Sequence, residues 1–261
     1  MLTTRYVTGA PNWIDLGTPD IDGAAAFYGE LFDWRFQPGG PEVGGYGLFQ
    51  LGGRTAAGGM QTTPEQGPPS WTVYFQTPDA DATARAAEQA HGSVAVQPMD
   101  VQDLGRMAIL ADQAGVPFGL WQPGRTKGLE VVQEHGSLCW VELYTADVPA
   151  TAAFYHAVLG LETFGADFAG GTYTTFNPAG ESEDAMFGGV VPLADDPGEE
   201  EAYWLPYFEV ADPDAVVARA GELGGTVRLP ATDLPSVGRL AKLADPYGAR
   251  FAVIHSEPRQ G

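Results

Sequence analysis

Two carboxylates at matched places, Asp15 and Glu142, are the residues of this chain best suited to do chemistry. Each lies two positions after a tryptophan, in stretches that read Trp13-Ile14-Asp15-Leu16-Gly17-Thr18-Pro19-Asp20 and Trp140-Val141-Glu142-Leu143-Tyr144-Thr145-Ala146-Asp147. In a strand, residues two apart share a face and neighbours oppose. Trp13 then looks the same way as Asp15, and Trp140 the same way as Glu142, with Ile14 and Leu16 packed behind. By the same parity Tyr74 with Gln76, and Tyr207 with Glu209, line a facing strand. A carboxylate shielded from water binds its proton more tightly and can serve as a general base. The rings offer stacking platforms for a planar ligand. A plainer reading stands beside each: the carboxylates as structural partners of Arg106 and Arg239, and the aromatics as core. Burying an unpartnered charge is costly, so interior carboxylates at matched positions favour a site over an inert scaffold.

The elements that must position these residues come from a duplication. Phe27-Tyr28 recurs as Phe154-Tyr155, and Gly105-Arg106-Met107-Ala108 with Asp112 and Gly115 recurs as Gly238-Arg239-Leu240-Ala241 with Asp245 and Gly248. The opening strands lie 127 positions apart and the later motifs 133, so the second copy gains six residues, which belong in loops. Pro192 to Glu201 is one such loop. A weaker repeat of strand, acidic residue and Ala-rich helix begins near Asp20, Asp79, Asp147 and Asp212, giving four units of roughly sixty residues. Asp20 is placed to cap the helix Ile21 to Phe32, and Gly92 and Gly224 are placed to stop the helices before them.

Composition narrows the role. With 261 residues, 44% of them hydrophobic, the chain can fill two ordinary cores. A formal charge of −21 argues against nucleic acid and anionic membranes, whose binding rests on Lys and Arg. The run Asp195-Asp196-Pro197-Gly198-Glu199-Glu200-Glu201 reads as a solvated loop. No window of eighteen apolar residues suggests a membrane span, and Met1 to Ala10 offers no signal-peptide core. A single Cys139 allows no intrachain disulfide, which fits a cytoplasmic setting. Gly39-Gly40-Pro41-Glu42-Val43-Gly44-Gly45 lacks the Lys-Ser/Thr of a phosphate loop.

The strand ending in Asp, the helix with Phe-Tyr, and the Asp245-Pro246-Tyr247-Gly248 turn before a last strand together resemble the vicinal oxygen chelate superfamily, from about Pro11 to Ile254. That superfamily includes glyoxalase I, fosfomycin- and bleomycin-resistance proteins and extradiol dioxygenases. The nearest likeness is to two-domain glyoxalase-like proteins, some labelled hydroxylases. Asp112-Gln113-Ala114-Gly115 keeps only the ends of the turn. The resemblance implies an α+β fold of tandem glyoxalase-like domains, residues 8–122 and 135–257 joined by a 123–134 linker. Each would hold two βαβββ units whose curved mixed sheet surrounds a cleft.

The resemblance also implies where a metal would sit. One family ligand is a His seven residues before the strand-ending Asp, and another a Glu four residues after the Gly of the turn. Here those positions are Trp13 or Trp140, and Gly119 or Ala252, with Thr72 and Leu205 opening the other units. None is a useful ligand for a divalent ion. Asp15 and Glu142 stand about 7 Å further along the strand and do not simply substitute. His91, His135, His156 and His255 fall on helices, helix ends or the wrong parity.

The expectation is a small-molecule-binding protein of the bleomycin-resistance type. No cofactor is expected, though a divalent metal is left open. The chain would act as a monomer or homodimer on a small organic molecule. Asp15 and Glu142 are the catalytic candidates, and Trp13, Tyr74, Gln76, Arg106, Trp140, Tyr207, Glu209 and Arg239 the ligand-binding ones. The alternative is a glyoxalase-like or hydroxylase-like enzyme, a lyase or oxygenase, that uses a metal or a carboxylate base.

Overall fold

A computed structural model describes residues 2–40, 43–168 and 171–257. Each repeat contributes two βαβββ modules. The first repeat runs β1 (Pro11–Thr18), α1 (Ile21–Phe32), β2 (Trp34–Pro38), β3 (Gly47–Leu51) and β4 (Arg54–Gln61). It continues with β5 (Ser70–Gln76), α2 (Ala80–Gln89), β6 (Ser93–Val101), β7 (Gly105–Ala111) and β8 (Pro117–Pro123). The second runs β9 (Leu138–Thr145), α3 (Val148–Leu159), β10 (Glu162–Phe168), β11 (Gly171–Asn177) and β12 (Gly188–Pro192). It ends with β13 (Tyr203–Glu209), α4 (Pro213–Glu222), β14 (Thr226–Leu234), β15 (Gly238–Ala244) and β16 (Arg250–Ser256). The strands form two eight-stranded mixed sheets, ordered β2-β3-β4-β1-β5-β8-β7-β6 and β10-β11-β12-β9-β13-β16-β15-β14. The fold is α+β, with the same strand order in both repeats.

All four helices start in the same way. Asp20, Asp79, Asp147 and Asp212 accept hydrogen bonds from the amides of Gly23, Ala82, Ala150 and Ala215 at 3.0, 2.9, 3.0 and 3.1 Å. Such a cap contributes about 1 kcal/mol, which is why each module carries an acidic residue where its strand ends. The stops differ from the sequence expectation in one repeat. Gly224 takes the left-handed conformation after α4, at φ 87°, but after α2 that position is His91, at φ 69°, and not Gly92. The αL conformation normally favours Gly, so a histidine there was not legible.

Two compact units divide the chain. One holds residues 72–128 and 140–204 with the chain up to Trp13; the other holds 14–71, 129–139 and the chain from Leu205 on. Each unit therefore gathers elements of both repeats: α2 packs with α3 in the first and α1 with α4 in the second. Their aromatic cores are alike. Phe75, Phe118, Tyr155, Phe176, Phe187 and Trp204 are buried in the first unit, and Tyr28, Phe32, Trp34, Phe49, Phe208 and Phe251 in the second.

A buried Trp-Tyr-Asp chain fastens each core. The Trp71 Nε1–H donates to the Tyr28 hydroxyl at 3.0 Å, which donates to Asp245 Oδ2 at 3.2 Å. In the other unit Trp204 donates to Tyr155 at 3.2 Å, and Tyr155 to Asp112 at 3.3 Å. The second oxygen of Asp112 accepts the amides of Ala114 and Val116, and that of Asp245 those of Tyr247 and Ala249. Gly115 and Gly248, at φ 84° and 104°, let the turn close around the carboxylate. The Phe-Tyr helix of each repeat thus meets the Asp-turn of the other. Burial raises the pKa of both aspartates, a shift that these hydrogen bonds only partly offset. Among the described residues, no helix is long and apolar enough to cross a membrane.

Candidate functional site

Glu142 on β9 is the centre of a polar and aromatic cluster. Tyr144, two residues on and on the same face, donates its hydroxyl to Glu142 Oε2 at 2.8 Å. From β11, Tyr173 donates to Oε1 at 2.7 Å and accepts from the Trp140 Nε1–H at 2.9 Å. The room for Tyr173 comes from Gly189, which lies opposite Glu142 in the β9–β12 register. A Cβ at Gly189 would stand 2.1 Å from the Tyr173 oxygen. Burial, and then the charge of Glu142, push the Tyr173 phenol well above its ordinary pKa, so it stays a donor. Tyr144 stacks on Tyr203 with ring centroids 5.0 Å apart and planes 7° from parallel. The Tyr203 hydroxyl bonds the carboxylate of Asp196. The acidic insertion is mostly solvated, as expected, but its Asp196 turns inward to hold this ring pair.

The first repeat has a reduced version of the same arrangement. Tyr46 donates to Asp15 Oδ2 at 3.2 Å, and Asp15 is 8% exposed. Tyr46 and Tyr173 lie 127 positions apart, the offset that relates Trp13 to Trp140 and Asp15 to Glu142. Sequence reasoning missed both tyrosines although that offset could have found them. The partners of Tyr144 and Tyr203 have no equal here, since the matched positions are Gly17 and Ser70. Trp13 stacks instead on Trp121, 6.4 Å away at 22°.

The other expected site residues are distributed differently. Tyr74 pairs in register with Gly119, and its ring fills the space where a side chain would stand: a Cβ on Gly119 would meet Tyr74 Cδ1 at 2.0 Å. Tyr207 pairs with Ala252, and both are buried. Gln76 and Glu209 serve the strand ends. Gln76 Nε2 reaches the Tyr6 carbonyl at 3.4 Å, while Glu209 accepts from the Ser256 amide and hydroxyl at 3.0 and 2.6 Å.

Arg106 and Arg239 correct an expectation. Arg106 binds Asp81 at 2.9 Å and Asp100 at 2.9 Å, and Arg239 binds Asp214 at 2.5 Å and Asp233 at 2.9 Å. These arginines clip a helix start to an edge hairpin and are not the counter-charges of Asp15 and Glu142. Asp100 and Asp233 face them directly in the β6–β7 and β14–β15 registers, and attraction over such a short distance decides the pairing. Asp81 and Asp214 are held below the usual carboxylate range, chiefly by the arginine hydrogen bonds.

The positions that would carry the metal ligands hold Trp13, Gly119, Trp140 and Ala252, whose side chains supply no donor. At Gly119 the Tyr74 ring also takes the space that a ligand would need. This donor set does not fit a divalent ion. His135 accepts the Ala211 amide at 3.0 Å, while the Nδ1 atoms of His156 and His255 contact the carbonyls of Leu161 and Val210 at 2.9 and 3.1 Å. Among the described residues, no group of three or more His, Cys, Asp or Glu is placed to hold a metal ion.

Duplicated βαβββ modules with a polar strand face of this kind define a class. The chain belongs to the Glyoxalase/Bleomycin resistance protein/Dioxygenase superfamily, whose family pattern matches residues 10–120 and 137–253. It is similar to the anthracycline biosynthesis protein DauV of Streptomyces sp. (strain C5), at 40% identity over 96% of this chain and 94% of DauV. Among solved structures it resembles the 2,3-dioxygenase LapB from Pseudomonas sp. KL28, with TM-score 0.64 and 13% identity over 97% of this chain and 95% of LapB. It also resembles a Mn(II)-bound glyoxalase from Novosphingobium aromaticivorans, with TM-score 0.63 and 13% identity over 97% and 87% of the two chains. At those identities the two structures speak for the fold alone.

Proposed function

We propose that this protein binds a planar, hydroxylated aromatic small molecule, and does so without a divalent metal at the family's ligand positions. The observation that carries this reading is the cluster around Glu142: one carboxylate gripped by the hydroxyls of Tyr144 and Tyr173, with Trp140 behind and the stacked Tyr144–Tyr203 pair beside it. Rings present flat apolar faces to a planar ligand. A carboxylate has about four lone-pair sites and can accept from a ligand hydroxyl as well as from tyrosines. The second repeat is the better candidate, because Gly17 and Ser70 give the first no ring pair. The name of DauV places that relative in anthracycline biosynthesis, and anthracyclines are planar hydroxylated polycycles. Asp15 and Glu142 remain the carboxylates on which an enzymatic reading, as a lyase or oxygenase, would rest.

The test is titration with 1,8-dihydroxyanthraquinone, followed by quenching of tryptophan fluorescence, before and after treatment with EDTA. Saturable quenching that EDTA leaves unchanged, and that Glu142→Gln weakens, supports the reading. Quenching that appears only after manganese, iron or zinc is added contradicts it. Conversion of the compound during the titration would move the enzymatic alternative ahead.

A further inference from the structure

The two repeats build the same carboxylate cluster, but the first leaves out two of its rings. Glu142 accepts two phenols, Tyr173 from β11 and Tyr144 from two places along its own strand. The first repeat keeps one of them: Tyr46 stands for Tyr173 and bonds Asp15 at 3.2 Å. The other is gone, because Tyr144 is matched by Gly17 and its stacking partner Tyr203 by Ser70. Tyr144 and Tyr203 are buried, whereas Gly17 is half-buried and Ser70 exposed, so the first repeat leaves uncovered what the second fills. Beside these two residues lies a hollow of about 310 Å³ walled by Pro19, Thr62, Thr63, Pro64, Pro68 and Pro69. A Cβ on Gly17 would stand 3.1 Å from the Thr62 methyl and 3.9 Å from the Ser70 carbonyl oxygen, which puts Gly17 at the hollow's Thr62 wall. The walls are stiff. Four of the six residues are prolines, whose rings fix φ and present apolar faces, and the Thr63 amide bonds Gln66 Oε1 at 2.9 Å across the Pro64–Gln66 turn. All the first-repeat residues named here lie in the unit that holds residues 14–71.

We propose that this hollow binds a phenolic ring from a ligand, seated as Tyr144 is in the second repeat, with its hydroxyl donating to Asp15. The inference goes beyond the reading at Glu142 and does not depend on it, for it adds a separate site in the other repeat and for a single ring. Asp15 and Gly17 are two apart on β1 and share a face, at a spacing of about 7 Å, which is roughly the span of one phenol. Asp15 is one methylene shorter than Glu142. A free phenol, unlike Tyr144, is not tethered to the strand and closes that gap. A hydrogen bond from a hydroxyl to an ionised carboxylate is short and roughly twice as strong as a neutral one, and with Asp15 only 8% exposed water competes little for it. The prolines give the ring apolar faces to lie against without themselves being ordered on binding. The Thr62 and Thr63 hydroxyls can meet a second polar group on the ring.

The probe is 4-fluorophenol, followed by its fluorine NMR resonance as the full-length protein is titrated in. 4-Fluoroanisole carries the same ring but has no O–H to donate. The fluorophenol resonance should shift and broaden to saturation, and fluoroanisole should bind about tenfold more weakly, as the loss of one hydrogen bond to a charged group requires. Ser70→Tyr, at an exposed position matched to Tyr203, puts a ring of the protein's own at the hollow and should abolish fluorophenol binding, with a melting curve on the same sample to establish that the variant is folded. Equal affinity for the two probes would overturn the inference without reference to any variant. A folded Ser70→Tyr variant that binds fluorophenol as wild type does would overturn it too, as would a fluorophenol resonance that wild-type protein leaves unchanged.

Discussion

Replacing Tyr173 with Phe removes one oxygen that takes part in two hydrogen bonds, one from the Trp140 indole at 2.9 Å and one to Glu142 at 2.7 Å. A neutral hydrogen bond contributes about 1 kcal/mol net and one to a charged group about 1.5–3 kcal/mol. Because Glu142 is only half-buried, the lower part of that range applies, and the expected loss is about 2–3 kcal/mol. For a chain of this size that is roughly 4–12 °C in melting temperature. The matched variant Tyr46→Phe removes a hydroxyl whose bond to Asp15 is longer, at 3.2 Å, so a smaller loss of about 0.5–1.5 kcal/mol is expected. Urea unfolding of the two variants, with Glu142→Gln and the Tyr173→Phe/Glu142→Gln double variant to complete a cycle, measures the difference directly. The cycle should give a coupling of about 1.5 kcal/mol between Tyr173 and Glu142. A Tyr46→Phe variant as damaged as Tyr173→Phe, or a coupling near zero, would refute the view that this cluster is held together by that phenol.

Further outcomes follow from the same geometry. Gly119→Ala puts a methyl group 2.0 Å from the Tyr74 ring, so it should cost about 1–3 kcal/mol by overpacking, and clearly less in a Tyr74→Ala background; an equal cost in both would contradict the contact. Asp112 and Asp245 have raised folded-state pKa values. Their contribution to stability is therefore present in full below the unfolded value near 3.9 and is lost as pH rises through the folded value. Asp245→Asn should accordingly gain stability relative to wild type as pH rises through that window, and unfolding curves in which the gain shrinks would reverse the sign of the argument. Asp81 and Asp214, held low by arginine, act the other way: their contribution is present above the unfolded value and is lost as pH falls through the lowered one. Arg239→Met should remove that acid-side loss for Asp214 while leaving dye binding unchanged, and a binding defect would bring Arg239 back to the site.

The duplication, the α+β fold, the Asp20 cap and the acidic residue that recurs before each of the other three helices were legible because each rests on local residue type or on a repeat spacing. Strand parity likewise placed Trp140 and Glu142 on one face, and both bond the Tyr173 hydroxyl. Less legible was anything that depends on which strands become neighbours. Tyr173 reaches Glu142 from β11 across the glycine of β12, a relation set by sheet order. Tyr28 and Asp245 are 217 positions apart and bond between repeats; nothing near either one announces the partner. Arg106 and Arg239 recur at matched positions, as a site residue would, but their registered neighbours are aspartates on an edge hairpin. Recurrence marked them as important without saying for what.

The claim that most needs testing is that ligand binding at the Glu142 cluster requires no metal. Calorimetric titration of 1,8-dihydroxyanthraquinone into protein purified without added metal and treated with EDTA, with elemental analysis of the same sample, addresses it directly. The account predicts binding near one equivalent per chain in a sample free of first-row metals, weakened in Tyr173→Phe. Stoichiometric zinc, manganese or iron retained by the protein, with binding lost when it is stripped and regained when it is returned, would contradict it.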